Sequence, residues 1–450
     1  MAASLTRVRA SLVIALSMAL AAFAAHWRTP LWGALAPGPQ LVSGYPALLF
    51  GIAMVMAAAA YLLGAMAASE ALSRRHLLMA VVIQLCAAPA PPFTSTDALM
   101  NLAYGRLAVL GHNPYETPPR MLPEGDSYRR HLDWPDSLDA WGPIALYTSA
   151  LAARMDDQVS ALVVFKLTML TVVLLSLFVA FRYSQGLPPE EGCRAFFFLG
   201  CNPLLAWELS GQAHNDALVV LFGVLFVWAA YVPNRIMAVL CVCAGVAAKY
   251  GLAPSLGLYW LLLRRQSLRR FALATLLAVV LFGVVWLPFL EGFSSLRGLW
   301  TEAFPRPAGV VNSLSSFAAL AQRLAGAQVL QVWSTGVLGI TVILAVRYAM
   351  RAHTLTRVMT DSLSFTLLYQ LLAMASYWPW YATWLLPLAL AEDNRHQRLT
   401  VAVFSSLAPA LYLTGVAGGL AILVVHGLAL SLWLARGRAQ RFEEGERLSG

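Results

Sequence analysis

Apolar runs of about 20 residues recur along most of the chain, and a run of this length is what one helix needs to cross a bilayer. Of the 450 residues, 59% are hydrophobic and 12% are charged, whereas soluble globular domains carry about a quarter charged residues. Spans inside a bilayer must satisfy their backbone polar groups internally, as helices do. The pattern therefore predicts an all-α polytopic membrane protein and excludes a soluble enzyme or a disordered chain.

Two long polar stretches divide these runs into blocks. We expect N-terminal transmembrane helices in 1–93, an outer loop in 94–158, a core transmembrane module in 159–290, a second outer loop in 291–327, C-terminal transmembrane helices in 328–436 and a cytoplasmic tail in 437–450. The runs predict about 12 to 14 transmembrane segments. Because further spans follow the first run, we expect it to be an uncleaved span rather than a signal peptide.

One apolar stretch, 236–263, is interrupted rather than continuous. It contains Gly245, Lys249, Gly251 and Pro254, and glycine and proline disfavour one straight helix. Arginines lie on both sides of the stretch, and two half-helices that return to the same membrane face would place these arginines together. The sequence therefore predicts a broken helical hairpin with Lys249 at its apex.

The loop charges predict the orientation. With the N-terminus inside, the inner loops hold 20 basic and 9 acidic residues, and the outer loops hold 9 basic and 11 acidic residues. Basic residues accumulate on the cytoplasmic side of membrane proteins. We expect an inner (plasma) membrane protein with cytoplasmic termini and with both long loops in the periplasm. The net charge of +9 thus reflects topology. The sequence lacks the basic stripe interleaved with aromatic residues that is typical of nucleic-acid-binding proteins, so we expect no nucleic-acid partner.

The first outer loop opens with a predicted helix that carries a carboxylate in its first turn. Hydroxyl residues at 94–96 are candidate N-caps before Asp97. On such a helix Asp97, Asn101 and Tyr104 share one face, and the helix dipole stabilises the carboxylate as an anion. The spacing alone is compatible with a capping residue on a surface helix and with a catalytic carboxylate.

The rest of the first outer loop is rich in proline, aspartate and aromatic residues, among them Tyr115. Asp133, Asp136 and Asp139 are spaced by three, but Pro135 and the missing glycine and glutamate positions do not fit an EF-hand. We interpret the aspartates as a solvated acidic loop. The aromatic and proline content suits a rigid wall with stacking surfaces for sugars.

A second polar group lies between two predicted spans at the outer membrane boundary. Polar side chains there are costly unless they bond to each other or to a ligand. Capping of the next helix is the structural alternative, and the clustering favours function. The group contains Glu208, Gln212, His214, Asn215 and Asp216.

Both lysines of the chain fall inside apolar segments. Lys249, followed by Tyr250, carries an ammonium that needs an anion or a polar cavity at this depth. That anion is either a bound phosphate or the carboxylate of Glu208 or Asp216 in an ion pair. Lys166 lies near the outer end of its predicted span, and we expect it to extend to the lipid headgroups.

Five aromatic residues, including Trp380 and Tyr381, surround a proline in the predicted outer turn 377–384. Aromatic residues at this depth commonly form an interfacial belt. The same cluster also suits a wall against which a sugar or a polyprenyl chain could lie.

Together these motifs resemble the GT-C glycosyltransferases, specifically the polyprenol-phosphate-mannose-dependent α-mannosyltransferases of bacterial envelopes. Two residues depart from the family pattern: Trp141, where a tyrosine commonly precedes Gly-Pro, and Gln212. These departures leave the substrate less defined than the reaction class. The resemblance covers about 93–390 and rests on Asp97 with Tyr104-Gly105, Gly111-His-Asn-Pro114-Tyr115, Trp141-Gly142-Pro143, Asn202-Pro203-Leu204, His214-Asn215-Asp216-Ala217-Leu218, Lys249 and Pro379-Trp380-Tyr381-Ala-Thr-Trp384.

The resemblance implies a GT-C-like bundle with interfacial helices in the first outer loop. It implies inverting transfer of a hexose, mannose in this family, from a polyprenyl-phosphate-sugar donor to a lipid-linked or envelope glycan acceptor on the outer face. Asp97 would be the general base, and Lys249 with His214 would stabilise the departing phosphate. The other candidate pocket residues are Asn101, Tyr104, Tyr115, Glu208, Gln212, Asn215, Asp216, Tyr250, Trp380 and Tyr381.

We expect neither a metal nor another cofactor. The first outer loop contains no Asp-x-Asp pair, and cationic side chains can neutralise a polyprenyl monophosphate. The alternative functions are a secondary transporter with a midplane site at the broken helix, and a flippase or non-catalytic component of glycan assembly. The long loop 94–158 and the lack of related halves favour the transferase.

Overall fold

The computed structural model describes residues 6–28, 45–67, 70–232, 236–292, 328–374, 377–412 and 419–435, and contains no strand within them. Most of the predicted second outer loop and the predicted cytoplasmic tail lie outside these ranges. The α-helices are α1 (Arg7–Arg28), α2 (Tyr45–Met66), α3 (Arg74–Ala87), α4 (Asp97–Val109), α5 (Pro143–Ala152), α6 (Gln158–Ser184), α7 (Pro189–Gly200), α8 (Pro203–Leu205), α9 (Asp216–Tyr231), α10 (Ile236–Ala248), α11 (Ala253–Gln266), α12 (Leu268–Trp286), α13 (Gln328–Arg351), α14 (Leu355–Leu368), α15 (Leu385–Leu390), α16 (Arg395–Leu407) and α17 (Gly419–Ala435).

Shorter helical turns join several of these helices. Two are π-helical, Ala206–Gly211 and Tyr369–Ala373, and continue α8 and α14 respectively. The 3₁₀ turns are Pro119–Met121, Ser127–Arg129, Tyr250–Leu252, Leu287–Phe289, Pro379–Trp384 and Ala408–Tyr412.

Four stretches of the described chain are long and apolar enough to cross a membrane: Arg7–Trp27, Tyr45–Met66, Gln158–Ser184 and Leu268–Phe289. Shorter apolar helices accompany them, α5, α9, α10 and α17. The expectation of an all-helical, multi-pass membrane protein is confirmed at this level. The larger number of crossings and the GT-C arrangement of the bundle stay predictions.

The interrupted stretch breaks at Lys249, as predicted. Lys249 has an extended backbone (φ −165°, ψ 143°) between the end of α10 and the turn Tyr250–Leu252. Pro254 lies in the first turn of α11, where its missing N–H costs no helical hydrogen bond. α10 and α11 pack against each other and against α12, and Lys249 lies at the break between α10 and α11.

The helix predicted after the hydroxyl residues begins at Asp97, and the Asp97 N–H donates to the Ser95 hydroxyl at 3.1 Å. The alternative of a surface helix is wrong, because residues 97–105 are all buried and α4 packs on α5 and α6. At Gly105 a Cβ would lie 2.5 Å from the backbone of Ser149. Glycine therefore allows α4 and α5 to approach closely and keeps Asp97 inside the protein.

Lys166 does not extend to the lipid headgroups as expected. Its side chain is buried, and its ammonium donates to the carbonyl oxygen of Gly211 at the end of the π-helix. An ammonium enclosed by protein needs an acceptor to offset its lost hydration. Lys166 thus ties α6 to the segment that leads into the polar group 212–216.

Candidate active site

His214 lies between two carboxylates that come from different elements. Its Nδ1 is 3.5 Å from Oδ2 of Asp97, and its Nε2 is 3.4 Å from Oε2 of Glu208. The imidazole stacks on Trp380 with ring centroids 3.8 Å apart. The preceding residue, Ala213, has a φ of +59°, a left-handed conformation that costs about 1–2 kcal/mol. The strained turn places the His214 ring between the two carboxylates.

Lys249 forms a buried ion pair with Asp216, the first residue of α9. The ammonium is 2.9 Å from Oδ2 of Asp216 and 3.4 Å from Oδ1 of Asn215. The indole N–H of Trp384 donates to the other carboxylate oxygen of Asp216. Of the two acidic partners that the sequence left open for Lys249, the structure selects Asp216.

Two asparagines join these groups into one network. The Asn101 amide donates to the backbone carbonyl of Asp97 at 2.8 Å, and its side-chain oxygen accepts from the Asn215 amide at 2.9 Å. Asn215 in turn accepts from Lys249. Asn101 thus connects the start of α4 to Lys249 through Asn215.

Aromatic faces surround the Lys249 ammonium. It lies 4.9 Å from the ring centroid of Tyr381, 5.7 Å from Trp141 and 5.8 Å from Trp384. Tyr250 packs edge to face on Trp384, with centroids 5.4 Å apart. Cation–π attraction is strongest where water is excluded, so this enclosure holds a positive charge in an environment that strengthens its attraction for anions.

A protein-family model matches residues 5–265, more than half of the chain, and it describes the N-terminal domain of the α-(1→6)-mannopyranosyltransferases. The chain belongs to this family. It is therefore a glycosyltransferase of the mannosyltransferase class, which confirms the resemblance and favours the transferase over the transporter. No curated protein gives a significant match.

The candidate site extends beyond the region of this mannosyltransferase that the family model matches. Asp97, His214 and Lys249 lie within it, whereas Trp384 and Tyr412, which bond to the acids of the network, do not. The Tyr412 hydroxyl donates to Oε1 of Glu208 at 2.7 Å, across 204 positions in sequence. No local signal in the sequence could have identified Tyr412.

Gln212 bonds to the backbone at the start of the first outer loop. Its side-chain oxygen accepts from the N–H groups of Phe93 and Thr94, at 2.6 and 3.0 Å, and its amide donates to the Pro91 carbonyl at 3.2 Å. Gln212 therefore ties the entry of α4, and with it Asp97, to the polar group.

Two candidate tyrosines bond to the loop between α4 and α5. The Tyr104 hydroxyl lies 3.0 and 3.2 Å from the carbonyl oxygens of Ser137 and Leu138, and the Tyr115 hydroxyl donates to the Trp141 carbonyl at 2.8 Å. These bonds fix the position of the loop, and the loop places the Trp141 ring next to the Lys249 ammonium.

Gly142 closes this loop against the end of α10. Its N–H donates to the Ala248 carbonyl at 2.9 Å, and a Cβ at this position would lie 2.0 Å from the Ala247 oxygen. Only glycine permits this approach, which explains why Trp141 is followed by Gly142-Pro143 at the start of α5.

Asp139 is a buried carboxylate that the sequence interpretation treated as solvated. One oxygen accepts from the Trp141 N–H at 2.8 Å, and the other has no hydrogen-bond partner within the described chain. Burial raises the pKa of Asp139 to about 8, and the positive charge of Lys249 partly offsets this. The solvated interpretation is thus wrong for Asp139, although Asp136 is exposed.

One group of side chains in the described ranges could hold a metal ion, Glu70, His76 and Cys193. His76 lies at the start of α3, about 16 Å along the helix from the end that approaches Gly211. The His76 Nδ1 accepts from the Ser73 N–H at 3.1 Å, and its Nε2 lies 3.4 Å from Oε1 of Glu70 and from Sγ of Cys193. The three side chains are thus satisfied by one another, away from Asp97.

Proposed function

We propose that this protein is an inverting mannosyltransferase that moves mannose from a polyprenyl-phosphate donor to a lipid-linked or envelope glycan acceptor, forming an α-(1→6) linkage. One observation carries the proposal: buried hydrogen bonds run from the Lys249 ammonium through Asn215 and Asn101 to the backbone carbonyl of Asp97, whose carboxylate faces His214 at 3.5 Å. Glycosyl transfer needs a base for the acceptor hydroxyl and a positive charge for the departing phosphate. The family assignment supplies the sugar class.

In the proposed step, the acceptor oxygen attacks C1 of mannose while its proton passes to Asp97. The bond between C1 and the phosphate oxygen breaks, and its electron pair leaves with the polyprenyl phosphate. Lys249 stabilises that charge, and the neighbouring Asp216 and Trp384 hold the ammonium in place. Attack from the face opposite the leaving group inverts the configuration at C1.

His214 and Glu208 support the base in this proposal. The imidazole Nδ1 lies 3.5 Å from the Asp97 carboxylate and can hold that carboxylate in position to receive the acceptor proton. Glu208 balances the imidazole from its other side and is itself held by Tyr412. The group therefore orients the Asp97 carboxylate at a buried position, where a general base can act.

Replacement of Asp97 by asparagine tests the base assignment. Asp97→Asn keeps the shape of the side chain, and we expect it to fold but to lose transfer by about 10²- to 10⁴-fold. The assay is transfer from radiolabelled polyprenyl-phosphate-mannose to an envelope lipid extract by the purified protein in lipid nanodiscs. Glu124→Gln, which changes an exposed carboxylate of the same loop, is the matched control. Full activity of Asp97→Asn would exclude the assignment.

The role of Lys249 needs a variant that does not leave a buried charge alone, because removing one member of a buried ion pair destabilises a protein strongly. The double variant Lys249→Met with Asp216→Asn removes both charges. We expect it to fold and to raise the KM for the donor, since the phosphate loses its counter-charge. An unchanged donor KM in the folded variant would contradict a phosphate-binding role.

We further propose that the site opens to the periplasm, with the N-terminus in the cytoplasm. The unequal loop charges support this orientation. His112 follows α4 and Arg269 lies in the first turn of α12, and both are exposed. A membrane-impermeant maleimide should label His112→Cys in cells with a permeabilised outer envelope, and Arg269→Cys only after the inner membrane is disrupted. The reverse pattern would refute the orientation.

A further inference from the structure

A column of aromatic rings leads from the outer loop to the candidate base. Trp380 stacks on His214, Trp378 lies parallel to Trp380 with centroids 5.1 Å apart, and Trp134 meets Trp378 edge to face at 6.0 Å. Trp380 is buried, whereas Trp134 is 40% exposed. The column therefore connects an accessible ring to the imidazole beside Asp97.

The turn that carries Trp134 is held on both sides. The Thr96 hydroxyl donates to the Asp133 carboxylate, and the Arg120 N–H donates to the Pro135 carbonyl at 2.8 Å. Thr96 directly precedes Asp97, so the turn is anchored to the start of α4. An exposed tryptophan on an anchored turn loses little conformational entropy when a ligand covers it.

The surroundings of Trp134 favour a polyhydroxyl ligand over a lipid chain. An aromatic ring offers an apolar face with a polar edge, which suits the C–H face of a pyranose, and the carboxylates of Asp133 and Asp136 on either side can accept hydroxyl hydrogen bonds. A hydrocarbon chain would remove these carboxylates from water without replacing their hydrogen bonds, which is costly. A glycan can stack on the rings and donate hydroxyl hydrogen bonds to the carboxylates.

We propose that Trp134 and Trp378 form a subsite for acceptor-glycan sugars that lie beyond the sugar reacting at Asp97. The subsite rests on the proposed transferase function and adds to it the substrate class: an acceptor of several hexose units. Binding energy from these distant sugars places the reacting hydroxyl at Asp97. Longer acceptors are then better substrates than a single mannoside.

The test compares acceptors of different length. We expect Trp134→Ala to lower kcat/KM for a tetramannoside acceptor about tenfold, mainly through KM, and to leave kcat/KM for a monomannoside acceptor unchanged. Trp134→Phe keeps an aromatic face and should retain most of the activity toward the longer acceptor. Trp378→Ala should show the same length dependence.

Trp228 on α9 provides the matched control. It is 43% exposed, and it lies about 18 Å along the helix from Asp216, so Trp228→Ala should affect neither acceptor. A loss for Trp134→Ala that is equal for both acceptors, or no loss for either, would overturn the subsite and leave the transferase function standing. A wild-type protein that transfers mannose to no acceptor would overturn the proposed function and the subsite together.

Discussion

Asp139 shows how one buried oxygen makes a protein sensitive to pH. Its carboxylate is inaccessible, and only one of its oxygens has a hydrogen-bond donor in the described structure. With its pKa raised to about 8 by burial, the folded protein keeps a proton that the unfolded chain releases near pH 4. The stability that this proton provides is complete below about pH 4 and is lost progressively up to about pH 8.

Asp139→Asn should remove that dependence, because asparagine still accepts from the Trp141 N–H but carries no titrating proton. Between about pH 5 and pH 8 we expect the Tm of the wild type to fall more steeply than the Tm of the variant. Thermal unfolding monitored by intrinsic fluorescence measures both. Asp136→Asn should follow the wild type, and parallel curves for Asp139→Asn and the wild type would contradict the assignment.

Gly142→Ala tests the packing of the first outer loop on α10. A Cβ would lie 2.0 Å from the Ala247 oxygen, so we expect the free energy of unfolding to fall by about 1–3 kcal/mol, with reduced transfer because Trp141 moves away from Lys249. Gly257→Ala, where a Cβ meets nothing within 4 Å, should stabilise α11 by about 0.5–1 kcal/mol. Denaturant titration compares the two, and equal stabilities would argue against close contact.

At the scale of elements, α6 begins with a well-defined cap. The Asp157 carboxylate accepts from the N–H groups of Val159 and Ser160, each at 2.9 Å, and from the Ser160 hydroxyl at 2.7 Å. These bonds, led by the one from the Ser160 N–H, lower the pKa of Asp157. The cap is therefore fully effective at neutral pH and is lost as the pH falls below the ordinary aspartate range.

Asp157→Ala should lower the Tm at neutral pH, since the first turn of α6 loses its acceptor. Asp157→Asn should retain most of the Tm, because asparagine caps helices about as well. Circular dichroism melts of the three proteins at pH 7 provide the measurement. A Tm of Asp157→Ala equal to that of the wild type would mean that the cap contributes nothing to the stability of this span.

Local chemistry explains which elements the sequence predicts correctly. The start of α4 at Asp97 and the break at Lys249 follow from hydroxyl, glycine and proline residues that act on their immediate neighbours. The π-helices Ala206–Gly211 and Tyr369–Ala373 are not predicted, because the sequence holds no local signal for their widened turns.

At the scale of the whole molecule, the site depends on both halves of the chain. The polar residues of the network stood out in the sequence because apolar surroundings make an isolated polar residue conspicuous, as with His214 and Lys249. Their partners did not stand out, because Trp384 is 168 positions from Asp216 and Tyr412 is 204 positions from Glu208. Spacing predicts neighbours on one helix and cannot predict contacts of this separation.

Trp384→Phe tests whether the C-terminal half sets the properties of the ion pair. Phenylalanine cannot donate to Asp216, and a lost hydrogen bond to a charged group costs about 1.5–3 kcal/mol. We expect kcat/KM to fall about tenfold to a hundredfold, with the KM for the donor affected more than kcat. Trp228→Phe is the control. Unchanged donor kinetics in Trp384→Phe would separate Asp216 from donor binding.

The hydrogen bond from Gly142 to Ala248 has a kinetic consequence. It fastens the first outer loop to the residue before Lys249, so the end of α10 cannot shift to admit a bulky lipid phosphate without carrying the loop along. In the proposed reaction, a movement of α10 that admits the donor therefore also moves the first outer loop, which contacts the acceptor. We therefore expect the KM for the acceptor to change with donor concentration, which initial rates at several fixed donor concentrations measure.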